Sequence, residues 1–279
     1  MKKACVIGSP IKHSRSPLIH NYWLNQLQID GHYERVAVAP NELWSFIRNL
    51  KMNGYQGCNV TIPHKEAALV AVDSYDQIVQ ATGSLNTVFL IGDKIHGTST
   101  DGQGFLNNIL SHYPDYQMQN KTIFVIGAGG SAKAICQKLL QENAETIFIF
   151  NRTLDRALEL QRSFGSKIEI VPPNEIQQCL NSSDMLINTT SQGMIGQPAL
   201  EIEIKNLPKH ALVADIVYVP LKTELIAKAE SLGLKTVPGL GMLLHQAVEG
   251  FQHWFGVRPK VSQELYDLVA QDITMEQKK

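Results

Sequence analysis

Four short polar stretches within residues 14–102 carry groups that could bind and protonate a small polar molecule. Within one of them, Asn59 and Thr61 are two residues apart, so on an extended strand their side chains share one face. Lys65 follows shortly after Pro63 and is a candidate general acid or base, and Asp101 could pair with it. Taken singly, a surface lysine and a helix-capping aspartate are the more ordinary interpretation. The stretches are SRSP (14–17), NVTIPHKE (59–66), GSLNT (83–87) and TSTDG (98–102).

The segment IKHSRSPLIH (11–20) is open to three interpretations: a phosphate loop, a serine nucleophile or a polar turn. A phosphate loop needs glycines and only Gly8 is near, while a nucleophile elbow of the GxSxG type is missing. Ser14 and Ser16 alternate across Arg15, so in an extended segment before Pro17 both hydroxyls would face one way. Two neutral donors at a helix entrance would suit a carboxylate.

The segment VIGAGGSAKAI has the pattern of a strand, a glycine-rich turn and a helix. Gly127, Gly129 and Gly130 fall where the turn would let a pyrophosphate approach backbone N–H groups at the helix N-terminus. The strand before and the helix after this turn favour dinucleotide binding, and a tight turn without a ligand is the alternative.

The second strand of this βαβ unit runs into IFIFNRTLDR, where an NAD-binding unit would carry an acidic residue. Asn151, Arg152 and Arg156 instead offer amide and guanidinium donors, which suit the 2'-phosphate of NADP. The alternative is a pair of solvated arginines with Asp155 as a local partner.

Composition excludes several classes of protein. The chain of 279 residues is 44% hydrophobic and 18% charged, with a formal net charge of -1, so it lacks the basic field of a nucleic-acid-binding protein. The apolar run in MKKACVIG is too short for a signal peptide or a membrane span, which predicts a cytoplasmic protein. No metal site is expected, since the cysteines are far apart and lack metal-ligand spacing: Cys5, Cys58, Cys136 and Cys179.

The order of the elements predicts an α/β protein of two domains. Strands and helices alternate through the first hundred residues, with a hairpin at NTVFLIGDKIHG, which favours an α/β substrate domain with a mostly parallel sheet. Residues 104–238 read as a Rossmann-like dinucleotide-binding domain, and residues 1–103 plus 239–279 as the substrate domain, with the active site in the cleft between them. His13, His20 and His64 are assigned polar or packing roles, and core positions are expected for Trp23, Trp44 and Trp254.

Motifs on both predicted domains resemble those of the shikimate 5-dehydrogenase family, in the family's order and spacing over essentially the whole chain. The resemblance implies an NADP-dependent, reversible reduction of 3-dehydroshikimate to shikimate, with Lys65 as general acid/base beside Asp101. The motifs are GSPIKHSRSPLIHN, GCNVTIPHKE, GSLNTV, TSTDGQGF, VIGAGGSAKAI, FNRTLDRA, INTTSQGM and PGLGMLLHQA.

The resemblance also implies a set of binding residues. The substrate carboxylate would be bound by Ser14, Ser16 and Tyr218, and the ring hydroxyls by Asn59, Thr61, Asn86, Asp101 and Gln246. The pyrophosphate would contact Gly127, Ala128, Gly129, Gly130 and Ser131. The 2'-phosphate and ribose would contact Asn151, Arg152, Thr153 and Arg156, and the nicotinamide half would lie near Thr190, Ile216, Gly239 and Met242.

One departure and two alternatives remain. Family members commonly read GxNTDG, whereas this chain has Ser99 in place of the asparagine, so a local hydrogen bond is expected to change. A quinate/shikimate dehydrogenase of broader specificity, using NAD or NADP, is the nearest alternative, although the first serine and the NRT sequence argue against it. A non-catalytic redox sensor is the alternative from another class. The expected partner is a small-molecule substrate, and the chain would be a monomer or homodimer.

Overall fold

The computed structural model describes residues 1–277, which form two compact units. The first unit comprises Met1–Gly104 and Leu244–Val269, and the second comprises Phe105–Leu243 with the described residues from Ala270 onward. The sequence-based division assigns residues 239–279 to the first domain. In the structure residues 239–243 and 270–277 of this segment lie with the second unit.

The first unit is built around a mixed six-stranded sheet of order β2-β1-β3-β5-β6-β4. β1 is parallel to β2 and β3, whereas β5 is antiparallel to β3 and β6, so the predicted hairpin is confirmed. The strands are β1 (Lys2–Gly8), β2 (Gly31–Ala37), β3 (Tyr55–Val60), β4 (Ser74–Tyr75), β5 (Thr87–Ile91) and β6 (Lys94–Thr98). The first helices are α1 (Ser16–Gln26), α2 (Leu43–Arg48), α3 (Gln77–Thr82) and α4 (Asp101–His112).

The second unit has a six-stranded sheet of order β12-β11-β10-β7-β8-β9 in which every pair of neighbours is parallel. This confirms the Rossmann-like prediction. The strands are β7 (Thr122–Ile126), β8 (Thr146–Phe150), β9 (Ile168–Ile170), β10 (Met185–Asn188), β11 (Leu212–Asp215) and β12 (Lys235–Val237). The remaining helices are α5 (Gly130–Gln141), α6 (Leu154–Phe164), α7 (Ile176–Asn181), α8 (Glu224–Ser231), α9 (Leu240–Phe255) and α10 (Gln263–Gln277).

Burial on both faces of the second sheet explains why its four inner strands are nearly continuous apolar runs, whereas the edge strands β9 and β12 include Glu169, Lys235 and Thr236. In β7, Ile123 and Val125 pack into one core cluster, and Phe124 and Ile126 into another on the opposite face. Since a parallel sheet is covered by helices on both sides, polar residues are disfavoured on both faces of the inner strands. Polar side chains therefore collect where these strands end.

Some local predictions differ from the structure. The segment HKEAALVAV (64–72) contains a short 3-10 helix at Ala67–Ala71 instead of an α-helix, and the two short strands β4 and β12 were not predicted. Trp44 was expected in the core, but its exposed fraction is 58%. The helix α2 has only six residues and buries Leu43 and Ile47, which leaves Trp44 on the outer face. Trp23 and Trp254 are buried as predicted.

The helices of residues 1–277 include none with the length and apolar character needed to cross a membrane. In the same part of the chain, histidine, cysteine, aspartate and glutamate side chains form no cluster able to hold a metal ion.

Candidate active site

Lys65 and Asp101 form a largely buried ion pair in the first unit. The Lys65 Nζ lies 2.6 Å from the Asp101 Oδ2, and the two side chains are 19% and 9% exposed. Asp101 is the first residue of α4, where the helix dipole stabilises a carboxylate. Lys65 is held in place because its carbonyl accepts the backbone N–H of Leu85 at 3.0 Å. The two groups proposed from sequence are thus in direct contact, with limited access to water.

Asn86 fixes the other oxygen of this carboxylate. Its Nδ2 donates to Asp101 Oδ1 at 2.7 Å, while its Oδ1 accepts the backbone N–H of Thr100 at 3.0 Å. The Gln246 Oε1, contributed by α9, lies 3.5 Å from the same Nδ2. The backbone donor leaves only one orientation of the amide that satisfies both ends. Asn86, Asp101 and Gln246 therefore lie together, as the resemblance implies.

Asn59 is buried and bonded within the protein. Its Oδ1 accepts the hydroxyl of Tyr33 at 2.6 Å, and its Nδ2 donates to the Asn86 carbonyl at 3.2 Å and to Thr87 Oγ1 at 3.3 Å. Both amide hydrogens are thus used by neighbouring side chains and backbone. Thr61 follows β3 and is half-buried, with its backbone N–H donating to the Ile7 carbonyl at 3.0 Å.

Ser14 and Ser16 converge, although by a different geometry from the one expected. Arg15 has φ -90° and ψ -4°, and α1 already begins at Ser16, so the segment is a turn rather than an extended strand. The Ser14 hydroxyl donates to Ser16 Oγ at 3.2 Å, and the backbone N–H of Ser16 donates to Ser14 Oγ at 3.3 Å. The expected extended conformation was wrong. The hydroxyls still meet at a helix N-terminus whose first turn has no acidic residue.

The glycine-rich turn of the second unit has the shape that a pyrophosphate requires. Gly127 has φ +111°, and a Cβ there would lie 2.5 Å from Thr189 Oγ1, so no other residue fits. At Gly129 a Cβ would meet no protein atom within 4 Å. Gly129 also precedes α5 without a side-chain cap, which leaves backbone N–H groups of the first turn available to an anion. Ala128 is buried, while Gly130 and Ser131 are half-buried in the same turn.

The arginines after β8 are free to meet a phosphate. Arg152 and Arg156 are exposed, and within residues 1–277 no carboxylate lies within 4.0 Å of either guanidinium. Asp155 is exposed and does not pair with them, contrary to the alternative interpretation. Asn151 is held by its Nδ2, which donates to the Thr153 carbonyl at 2.7 Å. Guanidinium groups without a protein partner fit a phosphate dianion.

A buried network that the sequence analysis missed lies at the ends of β10 and β11. Asp215 accepts hydrogen bonds from Asn188 Nδ2 at 2.9 Å, from Thr223 Oγ1 at 2.7 Å and from the backbone N–H of Val217 at 3.0 Å. Asn188 Oδ1 in turn accepts the Thr190 hydroxyl at 2.7 Å. Burial raises the pKa of Asp215, and the hydrogen bonds from Asn188, Thr223 and Val217, which favour the charged carboxylate, offset this only in part. The available signal was a polar residue ending each of two adjacent apolar strands.

The remaining candidates of the nicotinamide half lie in the second unit as well. A Cβ at Gly239 would approach the Ile216 carbonyl oxygen to 2.5 Å, so the chain before α9 passes close to the end of β11 only because this residue is glycine. Met242 is buried. Tyr218, assigned to the substrate carboxylate, belongs to this second unit, whereas the other candidate substrate residues belong to the first.

Comparison with known families covers both units. Residues 6–88 match the model of the shikimate dehydrogenase substrate binding domain, and residues 110–240 match the shikimate / quinate 5-dehydrogenase model. Residues 239–263 match the C-terminal domain model of shikimate 5'-dehydrogenases.

Individual relatives agree with these models. The chain is 47% identical to a shikimate dehydrogenase (NADP(+)) of Mesorhizobium japonicum over 98% of this chain and 97% of the relative. The shikimate 5-dehydrogenase of Thermus thermophilus, solved with NADP(H) and shikimate, is 30% identical with a TM-score of 0.86, over 98% of this chain and 100% of that one. The quinate dehydrogenase of Corynebacterium glutamicum, solved with NAD, is 25% identical with a TM-score of 0.87, over 97% and 99%. The chain belongs to the shikimate dehydrogenase family.

Proposed function

We propose that this protein is an NADP-dependent shikimate dehydrogenase, which reversibly converts 3-dehydroshikimate, NADPH and a proton into shikimate and NADP. The observation that carries the proposal is the Lys65–Asp101 ion pair at 2.6 Å, in a chain of this family. Supporting it are relatives named as NADP-dependent shikimate dehydrogenases. The reaction belongs to the shikimate pathway, which leads to chorismate and the aromatic amino acids.

Lys65 is the proposed general acid in the direction of reduction. NADPH, when bound, would supply the hydride that the ketone carbon requires. The ammonium of Lys65 donates its proton to the ketone oxygen, and the neutral amine regains a proton from solvent. Asp101 keeps Lys65 oriented and, in the oxidative direction, accepts the substrate hydroxyl hydrogen bond while Lys65 removes the proton.

Binding is proposed to be divided between neutral donors for the substrate and cations for the cofactor. Ser14 and Ser16, with Tyr218, would bind the carboxylate, and the side chains of Thr61, Asn86 and Gln246 would bind ring hydroxyls. The amide hydrogens of Asn59 are used inside the protein, which favours an indirect role for that residue. The glycine-rich turn would hold the pyrophosphate, and Arg152 with Arg156 the 2'-phosphate.

The test is the formation of NADPH, followed by its absorbance, when the purified protein is given shikimate and NADP. Turnover with this pair is expected. Parallel assays with quinate, and with NAD, decide between this activity and that of the broader quinate/shikimate dehydrogenase. The structural similarity to a quinate dehydrogenase solved with NAD is the reason to test this alternative. Absence of turnover with every pair would reject the proposal. A cytoplasmic location and the choice between monomer and homodimer stay predictions.

A further inference from the structure

We infer that Tyr33 and Thr87 are positioning residues, whose hydroxyls form a one-directional chain of hydrogen bonds that orients Asn86 and, through it, the Lys65–Asp101 pair. The inference rests on the proposed function and deepens it, because neither residue belongs to the candidate binding set. All members of the chain lie in the first unit.

The hydrogen-bond chain begins at Tyr33 on β2. Its ring is buried and its hydroxyl reaches across β1 to Asn59 Oδ1, at 2.6 Å. An amide oxygen can only accept, so Tyr33 must donate. The ring cannot turn away, because His20 stacks on it at 4.1 Å and Asn21 bonds to both backbone groups of Tyr33.

The donor from Tyr33 sets the orientation of Asn59. With Oδ1 facing Tyr33, Nδ2 faces β5, where it donates to Thr87 Oγ1 at 3.3 Å. Asn59 and Thr87 stand directly opposite each other in the β3–β5 pairing, which places their side chains on one face of the sheet.

Thr87 passes the direction on. Its hydroxyl has a single hydrogen, and since the oxygen already accepts from Asn59, that hydrogen is donated to Asn86 Oδ1 at 2.9 Å. Asn86 Nδ2 is then turned toward Asp101 Oδ1, at 2.7 Å, and Asp101 Oδ2 holds Lys65. Thr87 is fully buried, so water cannot replace a missing hydroxyl.

The energetic reason for such a chain is that a buried amide has two ends of similar shape. An asparagine turned the wrong way would present its oxygen to the Asp101 carboxylate and repel it. The backbone N–H of Thr100 opposes that orientation at one point, and the hydroxyl of Thr87 opposes it at a second. Fixed donors of this kind hold reacting groups at the geometry that the reaction requires.

The experiment compares Thr87→Val with Thr87→Ser and with the control Thr82→Val. Thr82 is buried in the same unit, but among residues 1–277 the partners of its hydroxyl are only the Ile78 and Ser84 carbonyls. Thr87→Val is expected to lower kcat about tenfold, equivalent to ~1.4 kcal/mol, while KM for NADP, whose candidate binding residues lie in the second unit, should change by less than about twofold. Thr87→Ser should restore kcat, and Thr82→Val should keep the parental value. Equal kcat for both valine variants would overturn the inference.

Tyr33→Phe provides a second test should Thr87→Val fold poorly. Tyr55→Phe is its control, because the Tyr55 hydroxyl donates to Glu34 at 2.8 Å and takes no part in the hydrogen-bond chain. Tyr33→Phe should also lower kcat, and the Tyr33/Thr87 double variant should lose no more than the worse single variant. Additive losses of kcat would contradict a single hydrogen-bond chain that runs through both residues.

A readout without turnover separates failure of the inference from failure of the proposed function. In urea unfolding, Thr87→Val and Asp101→Asn are expected to be non-additive, since both act on Asn86, whereas Thr82→Val and Asp101→Asn are expected to be additive. If the protein does not oxidise shikimate but the two variants are non-additive, the hydrogen-bond chain would be supported and only the proposed activity would be rejected. Additivity for both pairs would reject the chain whatever the activity.

Discussion

In the first unit the candidate polar groups are buried and bonded to one another, whereas in the second unit the candidate phosphate-binding arginines are exposed and have no carboxylate within 4.0 Å of their guanidinium groups among the described residues. Asn59, Asn86 and Asp101 are each less than a tenth exposed, while Arg152 and Arg156 reach into solvent. The difference follows from what each region would bind. Neutral ring hydroxyls require donors and acceptors that are held in fixed directions, but a phosphate dianion has several acceptor oxygens, which guanidinium groups can reach from solvent.

Asp101 and Asp215 are both buried aspartates, but they differ in whether a cation accompanies the carboxylate. Asp101 has the ammonium of Lys65 at 2.6 Å, whereas Asp215 has three neutral donors and a pKa raised by burial. A carboxylate with a movable cation can take part in proton transfer. One held only by neutral groups orders its surroundings, here the ends of β10 and β11.

The largest effect is expected from a variant that breaks the Lys65–Asp101 ion pair of the first unit. Lys65→Ala should lower kcat by about 10²- to 10⁴-fold, the range for loss of a general acid, with comparatively little effect on binding of shikimate. Steady-state kinetics with shikimate and NADP measures this. Lys51→Ala is the matched control, because Lys51 pairs with Asp93 on the surface and is 64% exposed. Near-parental turnover of Lys65→Ala would remove Lys65 as the acid/base.

Arg152→Ala tests the second side of the comparison. Loss of one charge-assisted hydrogen bond to a phosphate should raise KM for NADP about 10- to 100-fold, while KM for NAD changes little, because NAD lacks the 2'-phosphate. Arg162→Ala is the control, since Arg162 is also exposed but lies in the last turn of α6. Equal losses with NADP and NAD would contradict a role in 2'-phosphate binding.

His20 provides a test of burial itself. It lies fully buried against Tyr33, Phe251 and Trp254, and burial lowers its pKa to about 3. Between this value and the unfolded value of about 6.5, only the unfolded chain binds the proton, so stability present above pH 6.5 is lost as the pH falls. From pH 7 to pH 5 the free energy of unfolding should drop by about 2 kcal/mol more in the parent than in His20→Leu.

Urea unfolding followed by tryptophan fluorescence measures this loss in the first unit alone, because all three tryptophans lie there: Trp23, Trp44 and Trp254. His32→Gln, at an exposed position of β2, should keep the parental pH dependence. The same drop in His20→Leu as in the parent would show that acid acts elsewhere.

The parts of this molecule that could be predicted from sequence are those that a local sequence pattern determines. The strand, turn and helix around Gly127 and the parallel order of the second sheet follow from an apolar run and glycine spacing. Tyr33 could not be assigned from sequence, because its hydroxyl meets Asn59 only through the order of strands in the sheet. Trp44 was placed wrongly since helical spacing alone does not say how short α2 would be.

The smallest expected effect concerns the serine pair, which lies between the two extremes of exposure. Ser14 is half-buried and Ser16 is buried, and their hydroxyls are 3.2 Å apart at the start of α1. Ser14→Ala should raise KM for shikimate about tenfold, the effect of one hydrogen bond to a carboxylate, and leave KM for NADP nearly unchanged. Ser45→Ala, at an exposed site of α2, is the control. If kcat fell instead of KM rising, Ser14 would act on orientation, like the buried amides, rather than on carboxylate binding.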